Sequence, residues 1–137
     1  MIKRGKKMRV EASSVSGGGS IKSGTIETTT AGQELTIDTG LSSINRFSCI
    51  AYNPTYSSAL LYHEIIYDPT SYIGAGKFYT ATGHSNGNLY DDGIMSIGSA
   101  QTQRGWVITS ISGGTITIKI GSVGSGWEES VGFWAAE

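Results

Sequence analysis

Cysteine, histidine and charge are all scarce in this chain of 137 residues. With Cys49 as its one cysteine, the chain can form no internal disulfide. Cys49 alternates with Phe47 and Ala51, a pattern that predicts a buried apolar thiol rather than a reactive one. Two histidines and no second cysteine disfavour a structural zinc site, so we expect no metal and no cofactor.

Long apolar runs are missing as well. No stretch approaches the roughly 20 apolar residues that a membrane-spanning helix needs. The basic start is followed by EASSVSGGGS where a signal peptide would have its apolar segment, so the sequence shows no signal peptide. These features predict a protein that is made in the cytoplasm and does not enter a membrane, or that leaves by a route the sequence does not show.

Glycine, serine and threonine take the place of the missing charges. The chain has 20 glycines, and charged residues make up 15% of it, against roughly 25% in an average soluble domain. This composition is poor in helix formers and rich in residues that suit strands and turns. A surface with so little charge also suggests contact with neighbouring subunits.

Alternating apolar residues predict strands along most of the chain. In ITIKI, Ile116, Ile118 and Ile120 fall on one face, the period-2 pattern of a half-buried antiparallel strand. Gly113 and Gly114 join this run to the one before it, which predicts a two-residue type I′ hairpin turn. Other predicted strands cover about 21–28, 33–38, 44–52, 58–67, 76–82, 93–97 and 130–135. Eight or nine short strands predict an all-β fold, an antiparallel β-sandwich that is jelly-roll-like.

Positive charge is concentrated at one end of the chain. Five bases and no acid lie in the first ten residues: Lys3, Arg4, Lys6, Lys7 and Arg9. The whole chain has 10 Lys+Arg and 11 Asp+Glu, so the rest carries five bases against 11 acids, a net of −6. The segment SVSGGGS that follows is a flexible spacer. We therefore divide the chain into an extended basic N-terminal arm with its Gly/Ser linker (1–20) and a β-sandwich domain (21–137).

Two short motifs resemble catalytic signatures, but neither has the surroundings that its chemistry needs. GHSNG at 83–87 fits the G-x-S-x-G nucleophile elbow, yet no helix follows and the chain is short for a hydrolase fold, so we interpret it as a turn. His63 and Glu64 begin an H-E-x-x-H pattern, but Tyr67 stands where the second histidine belongs. Neighbours on a strand also point to opposite faces. We predict no catalytic residues and no enzymatic activity.

A polar segment with aromatic neighbours is the best candidate for a ligand site. NGNLYDDG (86–93) gathers oxygen ligands in a predicted loop, but it lacks the spacing and the terminal glutamate of a calcium loop. Aromatic rings beside carboxylates are typical of sugar sites, because ring faces pack against apolar surface while polar groups hydrogen-bond. An alternative function is therefore glycan binding, with contacts at Tyr90, Asp91, Asp92 and Trp127.

The basic arm raises the question of nucleic acid as a partner. Neutralising phosphates with lysine and arginine is a strong, sequence-independent source of affinity. A nucleic-acid-binding domain also carries a basic face or an aromatic platform bordered by bases, whereas the body here is acidic. We therefore disfavour nucleic acid and expect a protein partner for the arm, since a short tail gains order only from what it binds.

The body resembles short β domains of tailed-bacteriophage virion proteins. The likeness lies in ELTIDTGLSSINRFSCIAYN and GTITIKIGSVGSGWEESVGFWAAE and covers roughly residues 21–137. Such domains occur as capsid decoration proteins, head fibres and receptor-binding parts of tails. The resemblance implies a β-sandwich without enzymatic activity, a homo-oligomer that is frequently a trimer, and an N-terminal segment that attaches the domain to the virion. It transfers no functional residue, because no site motif matches.

One functional hypothesis follows. The chain is expected to be a virion structural or accessory protein, made in the host cytoplasm, whose basic arm docks on other capsid or tail proteins while the β body projects outward. The acidic body would not compete for the site that holds the arm. The alternative is a glycan-binding adhesin or receptor-binding module.

Overall fold

The structure, a computed structural model, describes residues 20–54, 61–84, 89–99, 105–121 and 129–137. These ranges contain nine strands and no helix, and hence no helix that could cross a membrane. The strands are β1 (Lys22–Thr28), β2 (Glu34–Asp38), β3 (Phe47–Tyr52), β4 (Leu61–Tyr67), β5 (Lys77–His84), β6 (Leu89–Ser96), β7 (Val107–Ser112), β8 (Thr115–Lys119) and β9 (Ser130–Ala136). The predicted arm and most of its linker lie outside the described residues, so the predicted domain division stays a prediction.

Two antiparallel sheets make up the body. The larger sheet has six strands in the order β1-β9-β3-β4-β5-β6, and the smaller sheet has three in the order β2-β8-β7. Strands β3 to β6 run as a meander, while β9 lies between β1 and β3 and pairs with both. The all-β fold and the antiparallel sandwich of eight to nine strands are therefore confirmed.

The apolar core lies between the two sheets. Alternation along β3 buries Phe47, Cys49 and Ala51 and exposes the residues between them. From the smaller sheet, Ile116 and Ile118 on β8 are completely buried. Side chains of both sheets form one apolar cluster, as in two sheets stacked face to face. Cys49 is the buried thiol that the sequence predicts, and this burial raises its pKa to about 12.

The predicted hairpin is confirmed, but its predicted turn type is wrong. Ser112 of β7 pairs with Thr115 of β8 across the two glycines. Gly113 has a φ of 57°, whereas Gly114 does not have a positive φ. A type I′ turn needs positive φ at both central residues, and a type II′ turn needs it at the first alone. The turn also packs closely on the segment between β2 and β3, since a Cβ at Gly114 would collide with the backbone of Leu41.

Strand β6 begins earlier than the sequence predicts. Residues 89–92 belong to the predicted loop, yet they pair with β5 as part of a strand. The register shifts between Thr80 and Ala81, and Asp92 has no partner position in the ladder. A β-bulge of this kind adds one residue to a strand and breaks its alternation. That break hides the first half of β6 from a period-2 pattern.

Candidate interaction surface

The six-stranded sheet has an apolar face that points away from the core, here called the outer face. Strand register arranges its apolar side chains in three rows: Val131, Tyr52 and Tyr62; Phe133 and Ile50; Ile66, Tyr79 and Ile94. Phe133 is 62% exposed and its cross-strand neighbour Ile50 is 50% exposed. Tyr52 and Ile94 are exposed as well. Large contiguous apolar patches are typical of interaction surfaces, whereas single exposed apolar residues are not.

The corresponding face of the three-stranded sheet is polar. Its outward positions hold Glu34, Thr36, Asp38, Ser110, Ser112, Thr115, Thr117 and Lys119. Val107, which pairs with Lys119, is the apolar exception and is completely buried. An antiparallel sheet that covers a core on one side and meets water on the other shows this alternation of apolar and polar residues. The smaller sheet follows that rule, and the larger one departs from it on its outer face.

Charged groups are few on the outer face. Glu64 lies near its centre, half-buried, with Ile50 on one neighbouring strand and Ala81 on the other. Glu27 on β1 and Lys77 at the start of β5 lie toward opposite ends of the face. Among the side chains that the structure describes, Glu64 is the acid in the apolar middle of the face, and the border is more polar. The register also places Asp91 opposite Ala81, at the β6 end of the same row.

A groove of about 190 Å³ opens at one end of the outer face. Ser48 and Ala135 form part of its lining and pair with each other across β3 and β9. Both side chains are small, so a depression remains between the bulkier side chains of Ile66 and Ile21, which also line it. Ile21 is 70% exposed and directly precedes β1. The first range that the structure describes thus begins beside this groove.

Arg46 spans the polar rim of the groove. Its Nη1 donates to Glu137 Oε2 at 3.0 Å, and its Nε lies 3.6 Å from Asp68 Oδ2. The backbones of Arg46 and Glu137 also exchange hydrogen bonds, which ties the end of β9 to the segment before β3. With the guanidinium held between two carboxylates, the rim is not a free cationic site. The groove is suited to an apolar group rather than to a small anion.

The histidine that the sequence places in an H-E pair is part of the core. The His63 ring stacks on Trp106, with ring centroids 4.9 Å apart, and His63 Nδ1 lies 3.1 Å from Thr82 Oγ1. Burial lowers the pKa of His63 from 6.5 to about 4, so the ring is neutral at physiological pH. Glu64 lies on the opposite side of the strand, as predicted. The two side chains therefore share no site.

The predicted partner and glycan contacts are only partly placed. Lys3, Arg4, Lys6, Lys7 and Arg9 lie outside the described residues, and so does Trp127. Tyr90 pairs with Thr82 and Asp91 pairs with Ala81, both within β6, while Asp92 occupies the bulge. The backbone thus puts these three in a strand and not in a loop. Whether they and Trp127 contact a glycan stays a prediction.

The GHSNG motif is only partly described. Gly83 and His84 of GHSNG are the last residues of β5, and 85–87 lie outside the described residues. Within the part of the chain that the structure describes, no three His, Cys, Asp or Glu side chains come together as metal ligands.

The outer face is the feature that sequence reasoning missed. The signal was present, because Ile50 and Tyr52 are apolar although they alternate with the buried Cys49 and Ala51. In β9, Phe133 and Trp134 are adjacent, and they cannot both face the core of one sandwich. A near-continuous apolar strand indicates that both of its faces are covered.

Comparison with known proteins gives little. No family model matches the chain, and no curated protein matches it. The chain is similar to the tailspike protein of Acinetobacter phage vB_ApiP_P1, with a TM-score of 0.37 and 11% sequence identity. The alignment covers 97% of this chain and 24% of the tailspike, so the chain spans about a quarter of that protein. A likeness at this TM-score carries no inference about fold or function.

Proposed function

We propose that the chain is a non-enzymatic structural or accessory protein of a tailed-bacteriophage virion, of the capsid-decoration or fibre type, attached to the particle through its basic arm. The observation that carries the proposal is the outer face. Phe133 and Ile50 are each at least half exposed. Such a surface favours a subunit whose apolar face is covered by a neighbouring protein in an assembly.

The distribution of charge supports the proposed role of the arm. Five bases lie in the first ten residues, while the remaining residues sum to −6. A cationic segment of this length binds acidic surfaces through pairs that are sensitive to salt. The spacer between arm and body allows the two to orient independently. The Gly/Ser/Thr-rich strand pattern is similar to that of phage virion β domains, and this resemblance is why we propose a virion as the assembly.

Attachment can be tested by mixing the purified chain with virions assembled without it. A variant with all five arm bases replaced by Gln should fold normally and lose attachment, because the arm then has no charge to pair. The matched control replaces bases of the body, Lys22, Lys77 and Lys119, by Gln and should attach like the wild type. Full loading of the arm variant onto the particles would rule out docking through the arm.

Glycan binding is the second candidate, and one observation favours it. Tyr72 is 89% exposed in the loop between β4 and β5. That loop is held by Asp68, whose carboxylate accepts hydrogen bonds from the backbone and the hydroxyl of Thr70. An exposed aromatic ring on a hydrogen-bonded loop, beside hydroxyl groups, is a platform on which a sugar can stack. A glycan array probed with the full chain and with Tyr72→Ala would test this candidate.

A further inference from the structure

Within the described residues, the outer face is the surface on which exposed large apolar side chains collect. Six large apolar side chains are exposed in the part of the chain that the structure describes: Ile21, Ile50, Tyr52, Tyr72, Ile94 and Phe133. All of them except Tyr72 belong to the outer face or to the groove at its end. The other sheet presents a polar face, which would leave apolar area uncovered if it were the partner surface.

We infer that the outer face packs against the outer face of a second copy of this chain, forming a two-fold dimer with the smaller sheets on its outside. An interface that uses the same patch on both copies is isologous and closes on itself. Two antiparallel sheets stack face to face at about 10 Å, as they do within a sandwich. The inference rests on the proposed role as an assembly subunit, and it names the partner of that subunit's apolar surface.

The dimensions of the face suit such a dimer. Six strands of six to eight residues each, spaced about 4.8 Å apart, give a surface of about 29 by 23 Å. Stable interfaces bury about 800 Å² of accessible surface on each partner. The projected area of the face, roughly 650 Å² from these dimensions, is of the same order as that value. The apolar middle and more polar border also match the usual anatomy of an interface.

Glu64 distinguishes this partner from the chain's own basic arm. In a face-to-face dimer the carboxylates of two copies enter one apolar interface, which disfavours association through like charge and loss of hydration. If residues 1–10 occupied the face instead, Glu64 would be the acid that pairs with their bases. The substitution Glu64→Gln should therefore strengthen a face-to-face dimer and weaken binding of the basic arm to the outer face.

The test is sedimentation equilibrium on the full chain across a range of concentrations. We expect a dimer, with association weakened about tenfold or more in Phe133→Ser and in Ile50→Thr, since each substitution occurs twice in the interface. Thr36→Ala, on the polar face of the smaller sheet, is the matched control and should associate like the wild type. Glu64→Gln should tighten the dimer by about threefold or more, and added salt should act in the same direction. Circular dichroism confirms that each variant is folded.

Three outcomes would overturn the inference. A monomer at all concentrations excludes a second copy on this face, and a trimer excludes an isologous pair. Weaker association in Glu64→Gln, together with a change on deletion of residues 2–10, would assign the face to the arm. Deletion of residues 2–10 should otherwise leave the dimer intact while attachment to virions is lost. The two ideas can therefore fail separately. Attachment to virions by a monomeric chain would contradict this inference alone, and a dimer that does not attach would contradict the proposed function alone.

Discussion

The two sheets are alike on the side that faces the core and differ on the side that faces away. Ile65 in the larger sheet and Ile118 in the smaller are both completely buried. On the outward side, Phe133 and Ile50 lie on the larger sheet where the smaller has Thr117 and Thr36. The smaller sheet presents mainly polar side chains on its outward side. The larger sheet leaves large apolar side chains exposed on its outward side.

The inward and the outward positions of the strands are thus under different requirements. Folding of the sandwich needs apolar residues at every second position, and both sheets meet that need. Apolar residues at the intervening positions of β3 and β9, such as Ile50 and Phe133, add nothing to the core and remain exposed. The comparison can be tested on both sides of the sheets.

Truncating the core should produce the largest effect, and the effect should be similar in both sheets. Ile65→Ala and Ile118→Ala each remove a completely buried side chain. Each should lower the free energy of unfolding by about 2–5 kcal/mol, because a cavity is left in addition to the lost burial. Urea denaturation at low protein concentration measures this. Ile94→Ala, on the outer face, is the control and should cost far less. If Ile118→Ala costs as little as the control, the smaller sheet is not part of one cooperative core.

Acid should destabilise the body through a group that lies between the sheets. The pKa of His63 is lowered by burial from 6.5 to about 4. Between these values the unfolded chain binds a proton at His63 and the folded chain does not, so stability falls as the pH drops from 6.5 to 4. Below pH 4 both states bind it and the loss is complete, at about 3 kcal/mol.

The measurement is the free energy of unfolding of the wild type and of His63→Gln across this pH range. Gln keeps a polar partner for Thr82 but does not titrate. The difference between the two proteins should therefore shrink toward acid pH, while effects of the carboxylates cancel. A constant difference from pH 7 to pH 4 would contradict the assignment.

The ion pairs at the end of the outer face should give the smallest effect. The side chain of Arg46 is 57% exposed where it meets Asp68 and Glu137. Arg46→Met keeps the apolar stem and removes the charge, and it should cost about 0.2–1 kcal/mol at low salt and less at high salt. Lys77→Met, which removes a hydrogen bond to Ser96, is the control. A loss that does not change with salt would mean that Arg46 acts by packing.

Much of the fold was predictable because it depends on local patterns. Period-2 alternation identifies the inward residues of β3 and β8, and paired glycines identify the hairpin between β7 and β8. The turn type was not predictable, because the approach of Leu41 to Gly114 is a tertiary contact. The bulge beside Ala81 likewise depends on pairing between β5 and β6.

The candidate surface was harder to predict than the core. Alternation indicates which half of a strand is buried, but it does not say whether the other half meets water or a partner. The rows of the outer face also depend on β9 lying between β1 and β3, a pairing between distant parts of the chain. The sequence drew attention to charged and aromatic residues in supposed loops, whereas the structure draws attention to Ile50 and Phe133 on strands.

The position of β9 has a consequence for synthesis. Lys22 at the start of β1 pairs with Ala136, and β9 is also the strand that separates β1 from β3. Ribosomes add about 5–20 residues per second, so β1 waits on the order of 5–20 s for its neighbour to be made. During that time β3 to β6 are already synthesised, and β3 still lacks its partner on the β9 side. A nascent chain that stops before Ser130 would leave β1 and β3 with no strand between them.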